Sequence, residues 1–125
     1  TVVPKGAAVG DAARTRLRAA LGRHGFPVDA QAHHIFGVTD FNSALGQKLH
    51  GWGVDLNGAA NGVWLPTKDY TGRVASIHRG RTGPAYRQAV NDRLTAATNR
   101  DEALEILADI KKELLDGTLS INKAR

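Results

Sequence analysis

Three histidines have the type and spacing to do chemistry in this chain: the adjacent pair His33-His34 and, far downstream, His78. On a strand, adjacent side chains point to opposite faces. One ring of the pair can then bind a metal while the other serves a different task nearby, especially where the strand ends and twists. A neutral imidazole suits both jobs, as a metal ligand and as a base that titrates near neutral pH. Taken alone, a histidine pair is more often a polar strand end. The chain has no cysteine, which excludes disulfides, thiol catalysis and Cys-ligated zinc and leaves five histidines as its only soft ligands. Of the other two, His24 between Arg23 and Gly25 and His50 after Leu49 read as helix-end residues, where an imidazolium complements the helix dipole.

The elements that must position these residues follow from patterning. The 125 residues make one domain of ordinary size, long enough to bury a core without staples. Hydrophobic residues at 42% and charged residues at 23% fit a folded globular chain, and no apolar run approaches the ~20 residues of a membrane span. Residues 1–10 are small and unpatterned and read as a tether from a longer polypeptide, leaving 11–125 as the domain. Asp11 can cap a helix over 12–22 that buries Leu17 and Leu21. Ala32 to Phe36 reads as a short strand, and Asp40 as the cap of a second helix with Phe41, Ala44, Leu45 and Leu49 on one face. After a turn-rich stretch, Val63-Trp64-Leu65 reads as a second strand ended by Pro66, with both Trp52 and Trp64 in the core. Residues 67–83 read as loop. Pro84 opens a helix with Tyr86, Val90, Leu94 and Ala97 buried, and Asn99 with Glu102 forms a capping box for a last, scaffolding helix over 100–116 ended by Gly117.

The net charge is +5, and most of it lies in one stretch. Residues 68–93 carry six basic side chains (Lys68, Arg73, Arg79, Arg81, Arg87, Arg93) against Asp69 and Asp92. Such a stretch suits a polyanionic partner, nucleic acid first, and is equally compatible with a solubilising surface.

Taken in order, Ala32-His33-His34-Ile35, Gly53-Val54-Asp55-Leu56-Asn57, Ala60-Asn61-Gly62-Val63-Trp64-Leu65-Pro66, His78-x-Gly80-Arg81 and Tyr86-x-x-x-Val90-Asn91 form a series. From about residue 13 to residue 94 this series resembles the AHH family, a branch of the HNH/endonuclease VII group of ββα-metal nucleases that recurs at the C-terminal tips of bacterial polymorphic toxins. The resemblance implies an α+β, mostly helical fold, with a small ββα-metal core (a short β-hairpin plus a helix) surrounded by three to four helices. It implies that His33 and His78 are metal ligands and that His34 is the general base for the attacking water. Asn61 is implied to orient that base through its ring N–H or backbone, and Arg81 and Arg79 to clamp phosphate; the basic stretch adds Lys68, Arg73 and Arg87 as further expected nucleic-acid contacts. By the same resemblance Asp55 and Asn57 shape a loop, and Tyr86 is a core residue with its hydroxyl near the site.

At one position the chain departs from the family pattern, His-x-Gly-Arg-His: it has Thr82 where the second histidine would complete the metal site. Three readings stand open. The site works with two protein ligands plus waters, which favours Mg²⁺ over Zn²⁺, Mn²⁺ or Ni²⁺; or the position was engineered to disarm a toxin; or the domain is naturally impaired. The function expected is a divalent-metal-dependent DNase of little sequence preference, an antibacterial toxin domain neutralised by a cognate, acidic immunity protein. It would be part of a larger secreted polypeptide and act in the cytoplasm of the target cell. The alternatives are a nucleic-acid-binding module that has lost catalysis through Thr82, and an RNA-cleaving toxin.

Overall fold

The computed structural model describes residues 10–78 and 82–121, so the expected tether, apart from Gly10, and both Arg79 and Arg81 lie outside the described residues. At its centre is an antiparallel hairpin of β1 (Ala30–His34) and β2 (Gly62–Pro66), with Ala32 opposite Trp64, His33 opposite Val63 and His34 opposite Gly62. Strand β1 sits two residues earlier than its apolar run suggests. Ile35 and Phe36 continue past the ladder as its irregular exit. Their backbone is taken up by Asn61, whose carbonyl accepts from Ile35 N at 2.8 Å and whose side chain bonds both polar groups of Phe36.

Four helices surround the hairpin: α1 (Gly10–Leu21), α2 (Ala44–Gly51), α3 (Pro84–Thr95) and α4 (Arg100–Asp116). This is the mostly helical α+β architecture that the element order predicts. Helix α1 starts at Gly10, so Asp11 lies in its first turn rather than at its cap. Its Leu17 is fully buried against β2 at Gly62, where any side chain would collide with it. Asp40 does not cap α2 either. It closes a 3₁₀ turn, Val38–Asp40, and Ser43 is the cap, its Oγ accepting from Gly46 N at 3.1 Å. The chain must turn tightly there, because a Cβ at Gly46 would strike the carbonyls of Phe41 and Asp40. Asn99 caps α4 by accepting from Glu102 N at 2.9 Å, while the Glu102 carboxylate reaches back to Thr98 rather than to Asn99; Gly117, at φ +78°, ends the helix.

The core joins Tyr86, Val90 and Leu94 of α3 to Ala103, Leu107, Ile110 and Leu114 of α4, over Ile35, Phe36, Phe41, Val63 and Leu65. Trp64 is not part of it. Strand alternation turns Val63 and Leu65 inward and leaves Trp64 half-buried, its ring 5.1 Å from that of His24. Trp52 is likewise half-buried. His24 is exposed beyond the end of α1, where its Nδ1 accepts from Phe26 N. Among the described residues, 67–78 and 82–83 have no regular structure but are held at several points. His78 N donates to Pro66 O at 2.8 Å, Ser76 N to Leu114 O at 2.9 Å and Gly83 N to Ile121 O at 2.7 Å. Those bonds fix where His78 stands relative to the hairpin. Among the described residues no helix is long and apolar enough to cross a membrane.

Candidate active site

Strand β1 delivers both histidines at its end, where the twist lets two successive rings border one cleft. His33 is buried, 3% exposed, and its ring centroid lies 5.0 Å from that of His78. An ion ~2 Å from one nitrogen of each ring would sit about 3 Å from each centroid, and near-tetrahedral ligands then stand about 5 Å apart centre to centre. The spacing therefore fits two imidazoles on one ion. His33 Nε2 is 3.0 Å from the hydroxyl of Tyr86, and that hydroxyl donates its one proton to Ile35 O, also at 3.0 Å. His33 must then donate through Nε2–H, which leaves Nδ1 with its lone pair. Burial, followed by repulsion from His78 and His34, pushes the His33 imidazolium down to a pKa of about 3, so the ring is a neutral ligand at any ordinary pH.

His34 is held from the other side. Its Nε2 donates to Asn57 Oδ1 at 2.9 Å, and Phe41 packs edge-on against the ring. This tautomer leaves Nδ1 free to take a proton. Burial lowers the His34 pKa, the Asn57 bond opposes that shift and the positive charge of Arg14 adds to it. The hydrogen bond to the ring thus comes from Asn57, which the sequence reading made a loop former, and not from Asn61. Asn61 is fully buried, and its side chain bonds Phe36 N at 2.8 Å, Phe36 O at 3.0 Å and Leu56 O at 2.8 Å. It ties the exit of β1, directly after His34, to the segment that carries Asn57.

A cleft of about 670 Å³ opens in front of these rings, lined by His33, His34, His78, Thr82, Arg14 and Arg87 among others. Thr82 is half-buried in the same wall as His78. Burial also lowers the His78 pKa, with Arg14 contributing. Among the described residues no group of three or more His, Cys, Asp or Glu side chains is placed to hold a metal, and the lining of the cleft includes no carboxylate. Of the cations nominated from sequence, Arg87 borders the cleft and is paired with Asp40 at 2.8 Å. Arg73 pairs with Asp69, and neither it nor the exposed Lys68 lines the cleft.

A family model matches residues 14–115, that of a nuclease family of the HNH/ENDO VII superfamily with conserved AHH. The chain belongs to the AHH family. Its Ala-His-His triplet is Ala32-His33-His34, at the end of β1. This AHH domain is thus a member of a nuclease family, and the family's own triplet lines the cleft. No curated protein and no solved structure matches the chain.

Two residues of the AHH site escaped the sequence reading in whole or in part. Arg14 was not singled out, although it directly follows Ala13 of the buried Ala13/Leu17 stripe and so flanks the face α1 presents to the hairpin. Asn57 was noted only as a loop residue, because nothing in its spacing shows that the loop folds back on His34.

Proposed function

We propose that this AHH domain is a divalent-metal-dependent endonuclease that hydrolyses phosphodiester bonds of DNA. The observation that carries the reading is the 5.0 Å approach of the His33 and His78 rings beside a base-competent His34. His33, through Nδ1, and His78 would hold the ion. When bound, it supplies Lewis-acid stabilisation of charge on the phosphate and on the departing 3′ oxygen. The chain's own residues do the rest. His34 Nδ1 accepts a proton from the water that attacks phosphorus, and Asn57 keeps the imidazole in the required tautomer and orientation. The P–O3′ bond breaks, leaving a 5′-phosphate and a 3′-hydroxyl that takes its proton from solvent. Arg14, which lines the same cleft, supplies positive charge to the non-bridging oxygens.

Two imidazoles without a carboxylate suit a borderline transition ion at least as well as Mg²⁺, so the decisive assay is nicking of a supercoiled plasmid with Mg²⁺, Mn²⁺, Zn²⁺ or Ni²⁺ against an EDTA control. Nicking that needs a divalent ion is the expected result. DNA binding without nicking under every metal would refute the reading and leave a nucleic-acid-binding module. In the biological setting we propose, the domain is the antibacterial end of a longer secreted polypeptide, acts in the cytoplasm of a target cell and is neutralised by an acidic immunity protein. The net charge of +5 supports an acidic partner by electrostatic complementarity.

A further inference from the structure

Beside the cleft lies a second, smaller cavity of about 140 Å³, between the exit of β1 and the inner face of α3. Its apolar walls are Ile35, Val38 and Val90, and it adjoins the cleft, sharing with it His34, Val38, Thr39, Thr82 and Arg87 among its lining residues. Its other polar wall residues are Thr39, Tyr86 and Asn91, and the Tyr86 hydroxyl is already engaged with His33 and Ile35 O. Asn91 belongs to the Tyr86-x-x-x-Val90-Asn91 series of the sequence, yet it has no part in the metal site or in holding His34. It is half-buried, its backbone carbonyl accepts from Thr95, and its side-chain amide bonds none of the described residues. Asp40 and Arg87, locked to each other at 2.8 Å, complete the cavity's rim.

From this we infer that the cavity is a base subsite that takes one pyrimidine of the substrate, adjacent to the scissile bond. The inference rests on the nuclease reading for its location but not for its chemistry. Volume decides the ring size. An apolar protein cavity of about 150 Å³ holds one benzene ring, and a pyrimidine is one six-membered ring, whereas a purine adds a fused five-membered ring. The apolar walls take the faces of the ring. The Asn91 amide offers one acceptor and two donors, so by turning over it can meet either cytosine or thymine on the Watson–Crick edge. Because His34 borders both cavities, a base seated here belongs to a nucleotide flanking the phosphate in the cleft. Reaching the cavity requires a base outside the stack, which costs least in single-stranded substrate. The result is a one-base bias, compatible with low overall sequence preference.

The test has two arms. In EDTA, where no cleavage occurs, fluorescence anisotropy compares labelled hexamers of thymidine, deoxycytidine and deoxyadenosine on the whole domain. Pyrimidine hexamers should bind ~3- to 10-fold more tightly, the range for one net hydrogen bond. Asn91→Ala should bring the three affinities together, and Asn91→Asp, which can only accept, should shift preference toward cytosine with its N4 donor. In the second arm, single-stranded purine oligonucleotides carrying one pyrimidine at successive positions are cut with the metal that supports plasmid nicking. Cuts should cluster at one fixed offset from the pyrimidine, and Asn91→Ala should disperse them. Equal affinities for all three hexamers, or a bias that survives in Asn91→Ala, overturns the subsite even if the plasmid is nicked. Pyrimidine-selective binding that depends on Asn91 but is accompanied by no cleavage under any metal upholds the subsite and removes the nuclease reading.

Discussion

Asn57 and Asn61 are both buried asparagines near His33 and His34, and their bonds predict opposite consequences of removing them. Truncating Asn61→Ala deletes three side-chain hydrogen bonds and leaves Phe36 N, Phe36 O and Leu56 O to find other partners in a region closed to water. With ~1–3 kcal/mol for each buried group left unpaired, and partial relaxation of the chain, the loss should be about 3–5 kcal/mol. At roughly 4 °C per kcal/mol for a domain of this size, Tm should fall by ~12–20 °C. Asn57→Ala removes the bond to His34 Nε2 and the fixed tautomer with it. Its stability cost should stay near ~1–2 kcal/mol, while nicking should fall ~10- to 100-fold, as for other residues that hold a functional histidine in place. Urea and thermal unfolding followed by circular dichroism, with nicking rates measured at a temperature where all variants are folded, separate the two. If Asn61→Ala loses less than about 1 kcal/mol and Asn57→Ala cuts like the parent, the division of roles drawn from these bonds is wrong.

Stability in EDTA should fall with acid. The depressed folded-state pKa of His33 means that the unfolded chain binds more protons below ~6.5, so the loss begins there and continues down to about 3; at pH 5 His33 alone should remove ~2 kcal/mol, read from urea midpoints at successive pH values. A midpoint that does not move between pH 7 and pH 5 would contradict the buried neutral ring. His33→Ala should weaken Mn²⁺ or Zn²⁺ binding in calorimetry, whereas His34→Ala should keep that affinity and lose ~10²–10⁴ in rate; equal loss of affinity in both variants would merge the two roles. Thr82→His should tighten Zn²⁺ or Ni²⁺ binding and raise nicking, and no change in either would show that position 82 is not a vacated ligand position. Arg14→Ala should weaken DNA binding and lower the slope of log affinity against log salt by about one unit, an effect absent if the side chain meets no phosphate.

How much of this was legible in the sequence depends on the range of the interactions. Patterns set by neighbours along the chain were readable. Pro84 opening α3, Asn99 and Gly117 bracketing α4, and the buried spacing of Tyr86, Val90 and Leu94 all arise within a few residues. Errors came where distant segments compete for the same groups. Asp40 is a good cap by type, but Ser43 takes that place and the Asp40 carboxylate goes to Arg87 on α3. Ile35 and Phe36 are good strand residues, yet the backbone bonds of Phe36 go to the Asn61 side chain instead of to a ladder. Trp64 has a core residue's bulk, and only the hairpin register shows that it faces outward with Ala32. In the site, the histidines were readable as chemistry-bearing residues and the resemblance put the Tyr86 hydroxyl near them, while the bond from Asn57 was not readable, because it reaches His34 across a long stretch of chain.

Those partners show how one strand end can hold two adjacent histidines in different environments. Sequence alone makes His33 and His34 chemically equal. The fold sets them apart by what each Nε2–H is bonded to. For His33 that partner is the Tyr86 hydroxyl, itself fixed on Ile35 O at the exit of the same strand, so the ring is bound to a helix on one side and back to its own strand. For His34 it is an amide on the long connection between the strands, whose path is fixed by Asn61. Both rings are left with a bare Nδ1, but only His33 has a second imidazole 5.0 Å away. His34 instead lines both the cleft and the cavity at α3. A shared ion belongs where two neutral rings converge, and a proton acceptor belongs where the substrate must pass. Under the proposed function the hairpin would meet both requirements by ending its ladder at His34.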